Sequence, residues 1–489
     1  MKAQNLRSCL ADLGRTPAMN DTLSSVYSRR ELLKTTGRLA AASALASVAL
    51  PPVHAAGSDL IQVALIGCGG RGTGAAVNAL STKSGPIKLV AMAEVFADRL
   101  ESSFNGLKEQ PEIWSKVDVP TDRQFVGLDA YKKAMDCLKP GDVAIFATPP
   151  AFRWVHFAYA IEKGLHVFME KPVTVDAPTS KRMFGLGEAA AKKNLKVGVG
   201  LMSRHSRAME ELAKRVHDGA IGDIILQRGY RMHGPVGFFQ SLPKPAEANE
   251  LLYQVRRFHS FLWASGGNYS DFYIHIIDHL GWMKNSWPVK AQALGGRHYR
   301  QSAEGITYVD QNFDIYAVEY TYADGTKFNF DGRCMTGCYN NFSSYLHGSK
   351  GSAVVSKTGD IGMPSSLYKS QSLKRSDMTW ESKVDPSEQD PYLNEWNDLI
   401  DAIRNDKPYN EVKRGVETSL VTSMGRMAAH TGQEISYEDI LNCDHEFAPD
   451  LDKLTMSSPA PLKAGPDGRY PVPMPGITRN REYLDAVTA

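Results

Sequence analysis

Outside residues 39–50 the chain has no apolar run approaching the 18 or more residues of a membrane-spanning helix, so no span is expected. A charge bias is missing too. The 56 basic and 54 acidic side chains are mixed along the chain and leave a net charge of +2, which gives no reason to expect nucleic acid or an anionic surface as partner. Cysteine is scarce, with six residues, and Cys9 falls in the leader described below. The remaining five cannot all pair and show no zinc-ligand spacing beyond Cys334 and Cys338. On a strand those two would point the same way but lie ~13 Å apart, too far for a disulfide. They read as buried small side chains, with a disulfide across a bulge or loop as the alternative.

What is present starts with SRRELLKTTGRLAAASALASVALPPVHA, Ser28 to Ala55. Positive charge, an apolar run over Leu39–Leu50 and the small-residue end Val53-His54-Ala55 have the layout of a cleaved secretory peptide. Arg29-Arg30 before Glu31-Leu32-Leu33-Lys34 resembles the twin-arginine export pattern, with Leu32 where phenylalanine is usual. Residues 1–55 are therefore expected to be a twin-arginine signal peptide. A mature chain from about Ala56, a periplasmic or otherwise exported location and the twin-arginine machinery as a partner follow from it.

The rest of the chain is too long for one core. LIQVALI (Leu60–Ile66) runs directly into GCGGRGTGAAVNAL, where Gly67, Gly69 and Gly72 fit GxGxxG between a strand and a helix. Gly67 serves the turn, Gly69 the approach of a pyrophosphate and Gly72 helix–strand packing, and the helix N-terminus offers free N–H groups to phosphate. Gly70 and Arg71 complete the loop. IKLVAMA then ends in Glu94, 22 residues after Gly72, where a carboxylate accepts from a ribose diol and repels a 2′-phosphate. NAD is thus preferred to NADP. VAIFATPP (Val143–Pro150), HVFMEKP (His166–Pro172) and KVGVGL (Lys196–Leu201) add strands around the helical stretch FRWVHFAYAIEKG. The expectation is a doubly wound parallel sheet over residues 56–204. Longer alternating runs such as ITYVDQNFDIYAVEYTYADGTKFNFDG predict an α+β domain with a large, mostly antiparallel open sheet over 205–444. Residues 445–489 read as a proline-rich strap or tail.

Taken in order, GCGGRG, ATPP, EKP and GGNYSDFYIHIIDHLGW resemble the Gfo/Idh/MocA oxidoreductases. The resemblance runs from about Asp59 to about Leu441. It implies a Rossmann domain followed by an open sheet that covers the active site and often mediates homo-oligomer contacts. By resemblance Thr148 and Pro149 of the TPP turn, with Glu170 and Lys171 of EKP, adjoin the cofactor, and Lys171, Asp271 and His275 match the family's lysine and DxxxH pair. Arg153 stands where many members carry histidine.

The residues support the same chemistry independently. Asp271, His275 and Asp278 share one face if SDFYIHIIDHLGW is helical. Oxidising an alcohol with NAD needs a base for the hydroxyl proton, a task suited to histidine, and an ammonium can hold the same oxygen. His275 is accordingly the expected general base and Lys171 the electrostatic group. Asp271 is the substrate-hydroxyl binder or the histidine's partner. Arg153, Arg204 and Asp278 are candidate substrate contacts. Asp271, His275, Asp278 and His279 could also ligate a metal, but no HExxH-type motif accompanies them and no metal is expected. Phe258, Trp263, Tyr269, Tyr273 and Trp282 are core or sugar-stacking aromatics, and His205, Arg231, His233, Arg256 and Arg257 are solvated charges or substrate contacts.

The expected function is exported, NAD-dependent oxidation of a ring hydroxyl of a sugar, glycoside or cyclic polyol, with a tightly bound cofactor recycled in the site. The alternatives are a glycosidase or lyase that oxidises transiently and eliminates with no net redox change, and a non-catalytic nucleotide-dependent binding protein.

Overall fold

The computed structural model describes residues 59–484 except 299, 358 and 360–362, so the expected twin-arginine leader lies outside the described residues. Strand β1 (Ile61–Ile66), helix α1 (Gly70–Ser81), β2 (Ile87–Glu94), α2 (Ala97–Lys108), β3 (Gln124–Val126) and α3 (Ala130–Asp136) form the first half of a parallel sheet. β4 (Val143–Phe146), α4 (Arg153–Lys163), β5 (His166–Met169), α5 (Ala177–Lys192) and β6 (Val197–Val199) form the second. The strand order is β3-β2-β1-β4-β5-β6 and every pair is parallel. The chain reverses its winding between β1 and β4. Their carboxyl ends therefore open on the crevice where such sheets take ligands. No apolar run announces β3, because its three residues are half-buried or exposed.

After α6 (Arg207–His217), strand β7 (Ile224–His233) enters a second sheet. The helices α7 (Gly267–Phe272) and α8 (Ile274–Lys284) follow, then β8 (Lys290–Gly296), β9 (Ile315–Thr321), β10 (Lys327–Cys334), β11 (Asn341–Gly348), β12 (Ser352–Ser356), β13 (Ser366–Tyr368) and β14 (Met378–Glu381). With β15 (Ile435–Ser436) they form nine strands in the order β14-β13-β12-β11-β7-β10-β9-β8-β15, antiparallel except where β7 meets β10. Burial alternates residue by residue along β9 and β10. One face carries Tyr316, Tyr320 and Phe330 into the core against Tyr269 and Tyr273, and the other stays wet.

Two helices from the end of the chain return to the parallel sheet. α9 (Pro391–Arg404) buries Trp396, Leu399, Ile400 and Ile403 against Ile61, Val63 and Leu65, with Trp396 stacked on Phe168 at 4.5 Å. α10 (Val412–Thr431) is buried along most of its length and packs on α5 and β8. The proline-rich segment is an ordered strap over residues 445–484. Leu462, Tyr470 and Tyr483 are buried, and Glu482 is sealed against Arg426 and His430. Cys334 is buried, whereas Cys338 is only half-buried, and both are free thiols.

Candidate active site

The turn after β1 brings two glycines under steric compulsion and leaves two open. Gly67 has φ +96°, and a Cβ there would lie 2.6 Å from the Ala147 carbonyl carbon; a Cβ on Gly72 would lie 1.9 Å from the Gly67 oxygen. Gly69 and Gly70 face space with nothing within 4 Å, room for a phosphate to approach the backbone. This space belongs to a cavity of about 570 Å³ lined by Gly67, Gly69, Gly70, Arg71, Gly72, Glu94, Thr148 and Pro149, all on the expected cofactor path. Glu94 Oε2 accepts the Cys68 N–H at 2.8 Å, and Oε1 accepts those of Val95 and Phe96 at 2.7 and 3.2 Å. Three of roughly four acceptor positions on the carboxylate are thus used. A diol can still donate to it, while a phosphate would meet a fixed negative charge. An open cradle beside a helix N-terminus and a carboxylate fit NAD.

A second cavity of about 350 Å³ shares Arg71, Ala147, Thr148, Phe258 and His259 with the first. It brings together Arg153, Glu170, Lys171, Asp271 and His275, so Glu170 and Lys171 lie at the reaction end rather than along the dinucleotide cavity. β5 delivers Lys171, and α7 and α8, which part at Tyr273, deliver Asp271 and His275. Lys171 Nζ donates to the Asp271 carbonyl oxygen and lies 3.6 Å from Oδ1. Burial pushes the Asp271 carboxyl up, but Lys171, His259 and Arg153 outweigh it and hold the group below the usual carboxylate value. His275 is driven well below its ordinary 6.5, first by burial and then by Lys171, Arg231 and neighbouring cations. Its Nδ1 has no hydrogen-bond partner. At pH 7 the cavity therefore holds a neutral imidazole and a carboxylate beside Lys171.

Behind these groups, Arg71 pairs with Glu170 at 2.7 Å and lies over the Tyr392 ring at 4.7 Å. Glu395 is buried with neither carboxyl oxygen hydrogen-bonded, and burial followed by repulsion from Glu170 raises its pKa well above normal. Burial and Glu170 thus favour its neutral form, and Glu170 is the carboxylate paired with Arg71. Arg153 is 1 % exposed, donating through Nε to the Glu170 carbonyl at 2.9 Å and through Nη1 to Thr148 at 3.1 Å. It supports the cavity wall rather than reaching into it.

Three expectations need correction. Arg204 and Asp278 line neither cavity. Asp278 is 0 % exposed and its oxygens are taken by Arg204 at 2.8, 2.9 and 3.1 Å and by Thr418 at 2.9 Å. It bonds α8 to the loop after β6 and to α10. Asp271, in turn, partners His259 rather than His275, with Oδ2 at 3.3 Å from His259 Nε2. Since His259 Nδ1 accepts the Phe238 N–H at 3.1 Å, its proton is on Nε2, aimed at Asp271. The sequence carries no signal for His259, because nothing in Arg256-Arg257-Phe258-His259 distinguishes it from a surface histidine. Tyr392 and Phe238 were equally hidden, arriving from far along the chain. Of the aromatics singled out near α8, Phe258 lines these cavities, joined by Phe272, while Trp263, Tyr269 and Tyr273 are core. His205, Glu210 and Asp398 offer ligand atoms within 4.8 Å of one another, but Arg207 bonds both carboxylates at 2.9 and 3.0 Å and supplies the positive charge there.

Residues 61–201 match the family model described as oxidoreductase family, NAD-binding Rossmann fold. An inositol 2-dehydrogenase of Corynebacterium glutamicum is 29% identical over 113 residues, 23% of this chain and 33% of the relative. The scyllo-inositol 2-dehydrogenase (NAD(+)) of Bacillus subtilis is 28% identical over 223 residues, 45% of this chain and 52% of the relative. The chain thus spans a third to a half of the length of these curated relatives. Among solved structures, scyllo-inositol dehydrogenase from Lactobacillus casei, with bound NAD(H) and scyllo-inositol, aligns with a TM-score of 0.56 at 19% identity. That alignment covers 78% of this chain and 99% of the other, a likeness of fold.

Proposed function

We propose that this chain, whose residues 61–201 match the Gfo/Idh/MocA NAD-binding domain, is an oxidoreductase of that family that oxidises a ring hydroxyl of a sugar, glycoside or cyclic polyol. The observation that carries the reading is the meeting of Lys171, Asp271 and His275 in one cavity that shares a wall with the dinucleotide cavity. Gly67–Gly72 and Glu94 would hold NAD, which when bound would accept the hydride from the carbinol carbon. His275, neutral at pH 7, accepts the hydroxyl proton. Lys171 stabilises the developing negative charge on that oxygen. Asp271, fixed by Lys171 and by His259, accepts a neighbouring hydroxyl and orients the ring. Inositol and scyllo-inositol dehydrogenases among the relatives favour a polyhydroxylated ring as substrate.

The leader pattern at Ser28–Ala55 supports export in a folded, cofactor-loaded state. Away from a cytoplasmic NAD pool the cofactor would be reoxidised in place by a second carbonyl substrate. The test is mass spectrometry of nucleotide co-purifying with the protein, followed by a panel of sugars, glycosides and inositols scored for keto products. Keto product from at least one ring alcohol is expected. Protein that neither retains nor binds NAD overturns the proposal, and release of aglycone with no keto product transfers it to redox-neutral glycoside cleavage.

A further inference from the structure

The dinucleotide cavity is not a cleft in the Rossmann domain alone. One wall is the glycine turn with Glu94–Arg99, and the opposite wall is Phe238 with Val255–His259 from the second half of the chain. The two walls are bonded to each other. Arg256 grips Asp98 through Nη1 and Nη2, at 2.8 and 2.7 Å. Arg99 Nη2 donates to the Arg256 carbonyl at 2.9 Å. The Arg256 guanidinium lies over the Phe96 ring at 4.1 Å and that of Arg99 over Phe238 at 5.5 Å. Every one of these contacts joins the start of α2 to the opposite wall.

That wall is also braced internally. Arg257 donates to Ser241 Oγ at 2.8 Å and to the Gln240 carbonyl at 2.6 Å, and the Phe238 N–H donates to His259. His259 in turn bonds Asp271 in the reaction cavity, so the wall is tied at one end to α2 and at the other to the catalytic carboxylate. Arg99 and Arg257 line the cavity as well, bringing cationic donors suited to an anionic ligand such as a pyrophosphate.

We propose that residues 237–259 form a latched roof that retains NAD through successive turnovers, with Asp98–Arg256 as the latch. The inference rests on the NAD-dependent reading above and deepens it by naming the residues that keep the cofactor from exchanging. Asp98 is exposed and Arg256 half-buried, and pairs open to solvent contribute little to stability. The latch should therefore set a rate of cofactor release rather than hold the fold together.

The experiment uses the full chain loaded with NAD, comparing wild type, Asp98→Asn, Arg256→Gln and the charge-exchanged pair Asp98→Arg with Arg256→Asp. Nucleotide content after gel filtration and the rate at which bound NAD exchanges into excess labelled NAD are measured. Wild type is expected to keep its nucleotide. Each single variant should release it at least tenfold faster with an unchanged melting temperature of the nucleotide-free protein, and the exchanged pair should recover most of the retention. Single variants that exchange NAD at the wild-type rate, or an exchanged pair no slower than the singles, overturn the roof while leaving the NAD site intact. Wild-type protein that binds no NAD overturns the cofactor reading as well.

Discussion

In the proposed reaction His275 is the residue that takes the proton, and its surroundings set the sign of the pH dependence. Burial, then Lys171 and Arg231, lower its pKa, so the proton-accepting neutral form persists below the ordinary 6.5. The acid limb of a kcat/KM profile should accordingly fall below pH 6.5, and a limb above that value would remove His275 as the base. His275→Asn should lower kcat by about 10²–10⁴ without reducing bound nucleotide, as measured by acid release. Glu170 and Glu395 make a sharper residue-level comparison. Burial and Glu170 push the Glu395 carboxyl toward its neutral form, so the near-isosteric Glu395→Gln should leave activity within about twofold of wild type. Glu170→Gln strips Arg71 of its 2.7 Å partner and should weaken NAD binding or turnover by tenfold or more. Equal effects from the two substitutions, read by titration and steady-state kinetics, would contradict the assigned charges.

At the level of elements, the strand–turn–helix unit was legible because its geometry is demanded locally. Gly67 and Gly72 sit where a Cβ would collide with backbone, and a motif built on collisions leaves a fixed spacing in the sequence. Gly72→Ala should displace α1 from β1 and cost cofactor affinity, checked by isothermal titration. β3 escaped notice because three half-exposed residues at a sheet edge carry no periodicity. α8 explains the fate of Asp278. It was legible as a helix with polar residues on one face, but which polar residues meet substrate depends on what packs over that face. Arg204 and Thr418 cover Asp278, and His275 is left facing the cavity. α9 is a further long-range decision. Its apolar stripe is visible in the sequence, but its target, the parallel sheet formed more than 200 residues earlier, is not. Trp396→Ala should cost about 3–5 kcal/mol, measured by chemical denaturation.

Over the whole molecule the strap at the end of the chain bears on the site. Glu482 accepts Arg426 Nε and Nη2 at 2.8–3.1 Å and His430 Nδ1 at 2.6 Å. Arg426 also donates to the Gly266 carbonyl, Ser270 Oγ and the Val175 carbonyl, bracing the segments next to Asp271 and Lys171. Glu482→Gln leaves Arg426 as a buried cation without its counter-ion. A loss of about 3–5 kcal/mol is expected, together with reduced turnover. Against burial, Arg426 and His430 lower the Glu482 pKa to about 2 from 4.5, so its contribution is complete above pH 4.5 and is lost as the pH falls toward 2. Burial also lowers His279 to about 4 and His156 to about 3. These imidazoles are neutral in the fold and favour the unfolded chain as the pH drops below 6.5. Melting temperature should decline from about pH 6.5 downward, and Glu482→Gln should flatten only the part of that decline below about pH 4.5.

The sequence by itself determined the features that local sterics and periodicity enforce: the glycine turn on a parallel sheet, the acidic end of β2 and the alternating strands of the second sheet. Their signals lie within a few residues of one another, and one short stretch of backbone suffices to specify them. Tertiary structure alone decided that His259 orients Asp271, that Arg204 and Asp278 serve the core, that Tyr392 and Glu395 stand behind Arg71, and that the walls of the NAD cavity are joined by Asp98 and Arg256. Each of these depends on partners from 12 to more than 300 residues apart. A side chain's charge and hydrogen-bond state are set by what packs against it, which no local pattern encodes.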